Sequence, residues 1–262
     1  MTKFLFSSFV AAALAVGSNA YALLASDNAG NYGGVWNNGD NGGTGFLAWS
    51  ISGNANPPTT YAGTFIGDST AGVGNINTSG VSFSLYANPG AAYINADRGF
   101  ASGLASGDVF SLQLALNYDN GNKGLNLFAG SQGEIFNFNV GGGASVSSAN
   151  ATLTPGSGAG YDYGGNAVLN LNFTMTSASQ FSYLISRVSS QGFQGTLFSG
   201  TVSGLTEAPS GFRLYNSGTD NSDPQNNLYA NNLSVVPEPS TYALLALSAM
   251  GMAGYVVRRR RR

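Results

Sequence analysis

The chain has 262 residues, enough for one large β domain or two small ones, and it contains no Cys and no His. That excludes a disulfide framework, zinc sites of the usual Cys/His kind, thiol nucleophiles and histidine general bases. Only 8% of residues are charged and the formal net charge is −2, while 38 Gly, 28 Asn and 12% aromatics fit many short strands joined by tight turns.

The first thirty residues, MTKFLFSSFVAAALAVGSNAYALLASDNAG, fall into three parts. Lys3 gives a positive start, Phe4 to Val16 is mostly apolar, and Ala20-Tyr21-Ala22 offers a small-x-small cleavage site. The apolar part is too short to cross a bilayer as a stable helix, which needs roughly 20 residues. A buried helix would need polar residues at helical spacing, and the run lacks them. Residues 1–22 therefore read as a signal helix, cleaved at Ala20 to Ala22, with the mature chain starting near Leu23. Absence of Cys is no argument for the cytoplasm, because a domain of this size needs no staples outside the cell.

The body, residues 23–236, carries eleven acidic and four basic side chains, a net −7. Such a surface repels phosphate backbones, so nucleic acid is not an expected partner. Period-2 alternation recurs along it. In AVLNLNFTMT, Leu169, Leu171, Phe173 and Met175 share one face and Asn170, Asn172 and Thr174 the other. In DVFSLQLALNY, Phe110, Leu112, Leu114 and Leu116 make an apolar face opposite Val109, Ser111, Gln113 and Ala115. GVSFSLYA, EIFNFNV, FSYLISRV, GFRLYN and NLYANNLSV read as further strands. Asp119-Asn120-Gly121-Asn122 is the strongest hairpin signal, because Asn-Gly readily takes φ > 0. No body segment shows sustained helical periodicity, which predicts an antiparallel sandwich.

Chemistry is sparse. A retaining glycosidase needs two carboxylates about 5 Å apart, usually on alternate residues of one strand. The body's two glutamates, Glu134 and Glu207, have no carboxylate two residues away. No catalytic residue is assigned, and the expectation is a non-enzyme. The missing His removes Ser-His-Asp catalysis, and Gly141-Gly142-Gly143 lacks the Lys of a phosphate loop. No cofactor is expected. Asp40, or Asp220 with Asp223, could offer oxygen ligands to Ca2+, but neither stretch has EF-hand spacing and Asx turns are their commoner role. Among the aromatics, Trp36 in an Asn/Gly loop and Tyr161 and Tyr163 in a Gly-rich segment are the candidates for stacking on a sugar ring, whereas Trp49 reads as core.

The chain closes on VVPEPSTYALLALSAMGMAGYVVRRRRR. Pro237 and Pro239, bracketing Glu238, prevent helix and strand there and leave an extended, accessible segment. Tyr242 to Val257 is an uncharged run of 16 residues, a marginal transmembrane helix, and Arg258, Arg259, Arg260, Arg261 and Arg262 form a stop-transfer cluster that stays cytoplasmic. These three elements in this order resemble the PEP-CTERM sorting signal of exported proteins of Gram-negative bacteria. The resemblance implies an exosortase as partner, a transient inner-membrane intermediate held by the C-terminal helix, and removal of the tail before the protein reaches the cell surface or extracellular matrix. Some ice-binding proteins carry the same tail signature.

A second resemblance covers residues 25 to 235. NGDNGGTGFLAWSI, FIGDST, RGFASGLASGDVFSLQLALNYDNGNKGLNLF and SGFRLYNSGTDNSDPQNNLYANNLSV follow one another as in the concanavalin A-like jelly-roll sandwich of lectins and glucanases. The Glu-x-Asp-x-Glu strand of the jelly-roll glucanases is absent. The expected organisation is thus signal peptide 1–22, an all-β antiparallel jelly-roll sandwich over 23–235, and the sorting signal over 236–262. The leading functional expectation is a non-enzymatic surface or matrix protein that contacts extracellular polysaccharide. The alternatives are an ice-binding protein, for which Thr152-Leu153-Thr154 and Thr174-Met175-Thr176 are only isolated pairs, and a divergent carbohydrate-active enzyme.

Overall fold

The computed structural model of the protein describes residues 23–71, 74–155, 168–188 and 194–237. The expected signal helix, the apolar run 242–257, the arginine cluster, Tyr161 and Tyr163 lie outside the described residues. Among the described residues no helix is long and apolar enough to cross a membrane.

The strands, in chain order, are β1 (Ala25–Asp27), β2 (Ser50–Gly53), β3 (Tyr61–Gly67), β4 (Ser82–Asn88), β5 (Tyr93–Gly99), β6 (Asp108–Ala115), β7 (Asn122–Ala129) and β8 (Gly133–Val140). They continue as β9 (Ala144–Ser147), β10 (Thr152–Pro155), β11 (Val168–Ser177), β12 (Gln180–Arg187), β13 (Gly195–Ser203), β14 (Gly211–Ser217) and β15 (Leu228–Pro237). One sheet runs β10-β13-β12-β11-β6-β15-β4-β3, with β1 added beside β15. The other runs β2-β5-β14-β7-β8-β9. All pairings between these strands are antiparallel, and β4, β5, β6 and β7 alternate between the sheets, as do β13, β14 and β15. This winding back and forth across one core is a jelly-roll sandwich, the expected class.

The alternation read from β6 and β11 sets their register. Leu169 lies opposite Leu114, Leu171 opposite Leu112 and Phe173 opposite Phe110, all 0–2% exposed. A slip of one residue would turn this set to solvent. The outward residues pair as well: Ser111 Oγ donates to Asn172 Oδ1 at 2.7 Å and Gln113 Nε2 to Asn170 Oδ1 at 2.9 Å. Between the sheets runs a file of rings, with centroids 5.0 Å apart for Phe110 and Phe212, 5.2 Å for Phe136 and Phe173, and 5.0 Å for Phe136 and Tyr183. Truncating such a ring to Ala typically costs about 3–5 kcal/mol.

The expected hairpin at Asp119–Asn122 does not form. Gly121 takes φ +66°, as the Asn-Gly signal demands, but the turn bridges the two sheets. β6 pairs with β11 and β15, and β7 pairs with β14 and β8. The buried Lys123 fixes the crossing: its Nζ donates to Tyr118 O at 2.7 Å and to Asn226 O at 2.9 Å.

β15 also departs from expectation at both ends of its second half. Its register shifts between Asn231 and Ser234, where Asn232 takes φ +55°. The buried Asn231 side chain donates to Ile76 O and Val81 O, both at 2.9 Å, and accepts from Ala29 N at 2.9 Å. The strand then continues past residue 235 to Pro237, which pairs with Asp108. Pro237 was expected to prevent strand. It ends the strand instead, where the missing N–H removes only a terminal ladder bond.

Candidate functional site

The outward side of the six-stranded sheet carries two unbroken rows of non-apolar residues. In one, Ser50, Asp97, Arg213, Asn126, Asn137 and Ser147 lie opposite one another across β2, β5, β14, β7, β8 and β9. In the next, Ser52, Asn95, Tyr215, Gly124, Asn139 and Ser145 do the same. The local reason is the period of 2: Ile94 and Ala96, Leu125 and Leu127, Phe136 and Phe138, and Phe212 and Leu214 fill the core, so the residues between them face out.

Register then makes the contacts. Arg213 and Asp97 are direct partners, with Nε–Oδ1 at 2.6 Å and Nη2–Oδ2 at 3.0 Å, and the guanidinium lies 5.2 Å from the centre of the Phe128 ring. Asn126 Nδ2 donates to Glu134 Oε2 at 2.7 Å. Tyr215 reaches across Gly124 toward β8, where a Cβ on residue 124 would fall 1.9 Å from Phe138 O. The tyrosine hydroxyl has three oxygens within reach, Asn137 Oδ1 at 2.8 Å, Asn139 Oδ1 at 3.0 Å and Phe138 O at 3.1 Å, for its single proton. Acceptors are thus in surplus here.

These side chains line a shallow depression of about 310 Å³ formed by Asn95, Asn122, Asn126, Asn137, Asn139, Arg213 and Tyr215. A second, of about 350 Å³, adjoins it at Arg213 and has an apolar lining that includes Leu47, Gly99 and Phe128. Asp97's hydrogen bond holds Arg213 above its ordinary value, so it stays charged. Burial pushes Tyr215 up, with Glu134 adding to the effect, so its hydroxyl stays neutral and donates. Burial also raises Glu134, against the pull of Arg213. With one cation and two carboxylates, Arg213 against Asp97 and Glu134, the surface carries a small net negative charge. It offers paired amide donors and acceptors, a forked guanidinium and an apolar ledge. Those are the groups that match adjacent hydroxyls and the apolar face of a sugar ring.

None of these shelf residues was singled out in the sequence as a contact. Trp36, which was, is 2% exposed and packs against Trp49 at 5.0 Å and Phe83 at 4.8 Å. Its loop folds inward, so the indole cannot meet a glycan. Trp49 is core, as expected, at 1% exposure. The carboxylates considered for calcium make local turns: Asp40 Oδ2 accepts from Asn37 N at 2.6 Å, and Asp223 Oδ1 from Gln225 N at 2.9 Å, capping a 3₁₀ turn. Asp220 Oδ2 accepts from Asn120 Nδ2 at 2.8 Å. Among the described residues no three acidic side chains gather around one point. The two Thr-x-Thr pairs lie on β10 and β11, with β13 and β12 between them.

Residues 235–262 match the model of the PEP-CTERM protein-sorting motif. The motif marks the chain as an exported protein sorted by the exosortase route of the Gram-negative cell envelope. No curated protein matches the chain by sequence. Among solved structures, the lectin I-B4 of Griffonia simplicifolia is 11% identical with a TM-score of 0.38, covering 80% of this chain and 98% of its own. The catalytic domain of β-agarase D from Zobellia galactanivorans is 9% identical with a TM-score of 0.36, covering 74% and 76%. The Caenorhabditis elegans galectin LEC-6 is 12% identical with a TM-score of 0.33, covering 52% and 86%.

Proposed function

We propose that this chain, which carries a PEP-CTERM sorting signal, is a non-enzymatic protein of the cell surface or extracellular matrix whose six-stranded sheet binds a neutral, hydroxyl-rich polysaccharide. One observation carries the reading: two adjacent rows, six strands wide, present amides, hydroxyls, a carboxylate and a guanidinium with no apolar side chain among them. The excess of carboxylates over cations disfavours a polyanion and leaves a neutral glycan as the better fit.

A non-catalytic role is supported by the placement of the shelf's carboxylates. Asp97 on β5 and Glu134 on β8 are three strand steps apart, and each carboxylate is engaged by a separate partner, Arg213 and Asn126 respectively. The reading needs no resident metal, so chelation by EDTA leaves binding unchanged. Titration of the purified body with neutral polysaccharides tests it, and failure of all of them to bind would remove it.

The ice-binding alternative draws on one row of the other sheet's outer face, Thr154, Thr201, Ser182 and Thr174. The row breaks at Val109, the next residue across. Thermal hysteresis in the absence of glycan binding would favour that alternative.

A further inference from the structure

The nine-stranded sheet ends on one side in an open strand. β3 pairs with β4 and, among the described residues, with no other strand. Its alternate residues therefore point N–H and C=O groups past the sheet. The other sheet ends are short or blocked. β9 has four residues, and β10 has four and closes on Pro155, which has no N–H. β2 also has four, with Ile51 N bonded to Asn38 Oδ1 at 2.9 Å. β3 has seven residues, Tyr61–Gly67, with no charge and no proline, and its register to β4 runs without a bulge. Charge, proline and bulges are the usual means of blunting an edge. Ala62 and Ile66 pack on the core, and Thr64 Oγ1 donates to Trp36 O at 2.9 Å on the same side. Tyr61, Gly63, Phe65 and Gly67 take the outer side, where the Phe65 ring lies 6.1 Å from Tyr86 and 6.3 Å from Tyr229.

We propose that this edge binds a second copy of the chain, β3 pairing antiparallel with β3 about a twofold axis at Thr64. The residues of the strand fit that register. Tyr61 falls opposite Gly67, Ala62 opposite Ile66, Gly63 opposite Phe65 and Thr64 opposite itself, so each large side chain meets a small one. Rings already lean over both glycines: a Cβ at Gly63 would fall 2.7 Å from the Tyr86 hydroxyl, and one at Gly67 2.6 Å from the Phe65 ring. Phe65 and Tyr61 of the second copy thus arrive beside an aromatic strip. No like charges meet. Asp68, the first charge beyond the strand, falls opposite Thr60, and its carboxylate is tied to Thr70 N at 2.8 Å and Asn77 Nδ2 at 2.6 Å. The twofold axis of an antiparallel pair stands perpendicular to the sheet, so the two six-stranded sheets lie on the same side of the joined nine-stranded ones. On the glycan reading above, both shelves then face one polysaccharide surface and bind it with avidity. The pairing itself does not depend on that reading.

The test uses the exported protein purified from its host, without glycan. The chain has no Cys, so one introduced thiol can form a disulfide only with a second copy. Opposed residues of an antiparallel pair have Cα atoms about 4.5–5.5 Å apart, within disulfide reach. Sedimentation of the wild type is expected to show a dimer, and mild oxidation of Thr64→Cys a covalent one. Tyr61→Cys is expected to stay uncrosslinked, because its two copies stand six residues apart, about 20 Å. A wild type that sediments as a monomer at its highest soluble concentration overturns the proposal, whatever the variants do. So does a dimer whose Thr64→Cys variant melts like wild type when reduced yet forms no covalent pair, or crosslinks no better than Tyr61→Cys.

Discussion

Arg213 and Asp97 stand directly opposite on β14 and β5 and close a two-point ion pair at the centre of the polar shelf, with each side chain about one-third exposed. At that exposure the pair contributes little to stability, about 1 kcal/mol or less. Its geometry holds the guanidinium between the two depressions. Arg213→Ala is expected to leave the melting temperature within a few degrees of wild type and to weaken glycan binding at least tenfold. Arg213→Lys recovers little, because an ammonium cannot reproduce the fork. Melting curves and binding isotherms of the two variants check this.

Tyr215 and Gly124 are coupled in a different way. Tyr215→Phe removes one donor from a cluster of oxygens and leaves the ring in place, so a loss of binding by about tenfold is expected, equivalent to one hydrogen bond of about 1–1.5 kcal/mol. Gly124→Ala is expected to destabilise the body by about 3 kcal/mol or more, because the new methyl meets the backbone oxygen of Phe138. Urea unfolding of the two variants separates a binding defect from a folding one.

The body's stability is expected to peak near pH 10. Burial pulls Lys123 down to about 8 from 10.5, with Asp119 and Asp220 opposing. Between those values the unfolded chain binds more protons than the folded one, so stability rises with pH. Burial, followed by the hydrogen bond that its hydroxyl donates to Asp27, pushes Tyr32 up to about 12, and burial raises Tyr215 as well. Unfolded tyrosines lose their protons from about pH 10, before the folded ones, so stability falls above that point. A gain of about 2 kcal/mol from pH 8 to pH 10 follows from the Lys123 shift. Lys123→Met should flatten that rise, as read by chemical denaturation across the range.

Arg98 and Asp27 form a buried pair, both side chains fully covered, with Arg98 also lying over the Phe46 and Trp49 rings at 4.8 and 4.7 Å. Asp27 accepts further bonds from Asn28 N, Asn31 Nδ2 and Tyr32 Oη. Arg98→Ala leaves that carboxylate buried without its cation, and a loss of about 3–5 kcal/mol is expected. The midpoint of urea unfolding checks it.

Much of the architecture was legible in β6 and β11, whose apolar faces meet residue by residue across the sheet. The Asn-Gly turn was legible as a backbone conformation but not as a connection. Gly121 takes positive φ, and Lys123 then ties the crossing to Tyr118 and Asn226, the latter 103 residues further along the chain. The shelf was hidden for a related reason. Asn95, Asn126, Asn137 and Tyr215 each occupy an ordinary outward position on a separate strand, and only the register brings them together. The usable signal was the recurrence of polar residues at alternate places in INAD, LNL, FNFN and RLY. Trp36 misled because its polar flanks suggest an exposed loop, whereas the loop turns back to deliver the indole to Trp49 and Phe83.

The most direct measurement of the shelf's role is calorimetric titration of residues 23–237 with a panel of neutral polysaccharides, alongside the double variant Asn126→Ala, Arg213→Ala. The account predicts binding of at least one polysaccharide by the wild type, and loss of it by tenfold or more in a double variant that still melts cooperatively. Equal binding by the two proteins, or no binding by the wild type to any member of the panel, would contradict it.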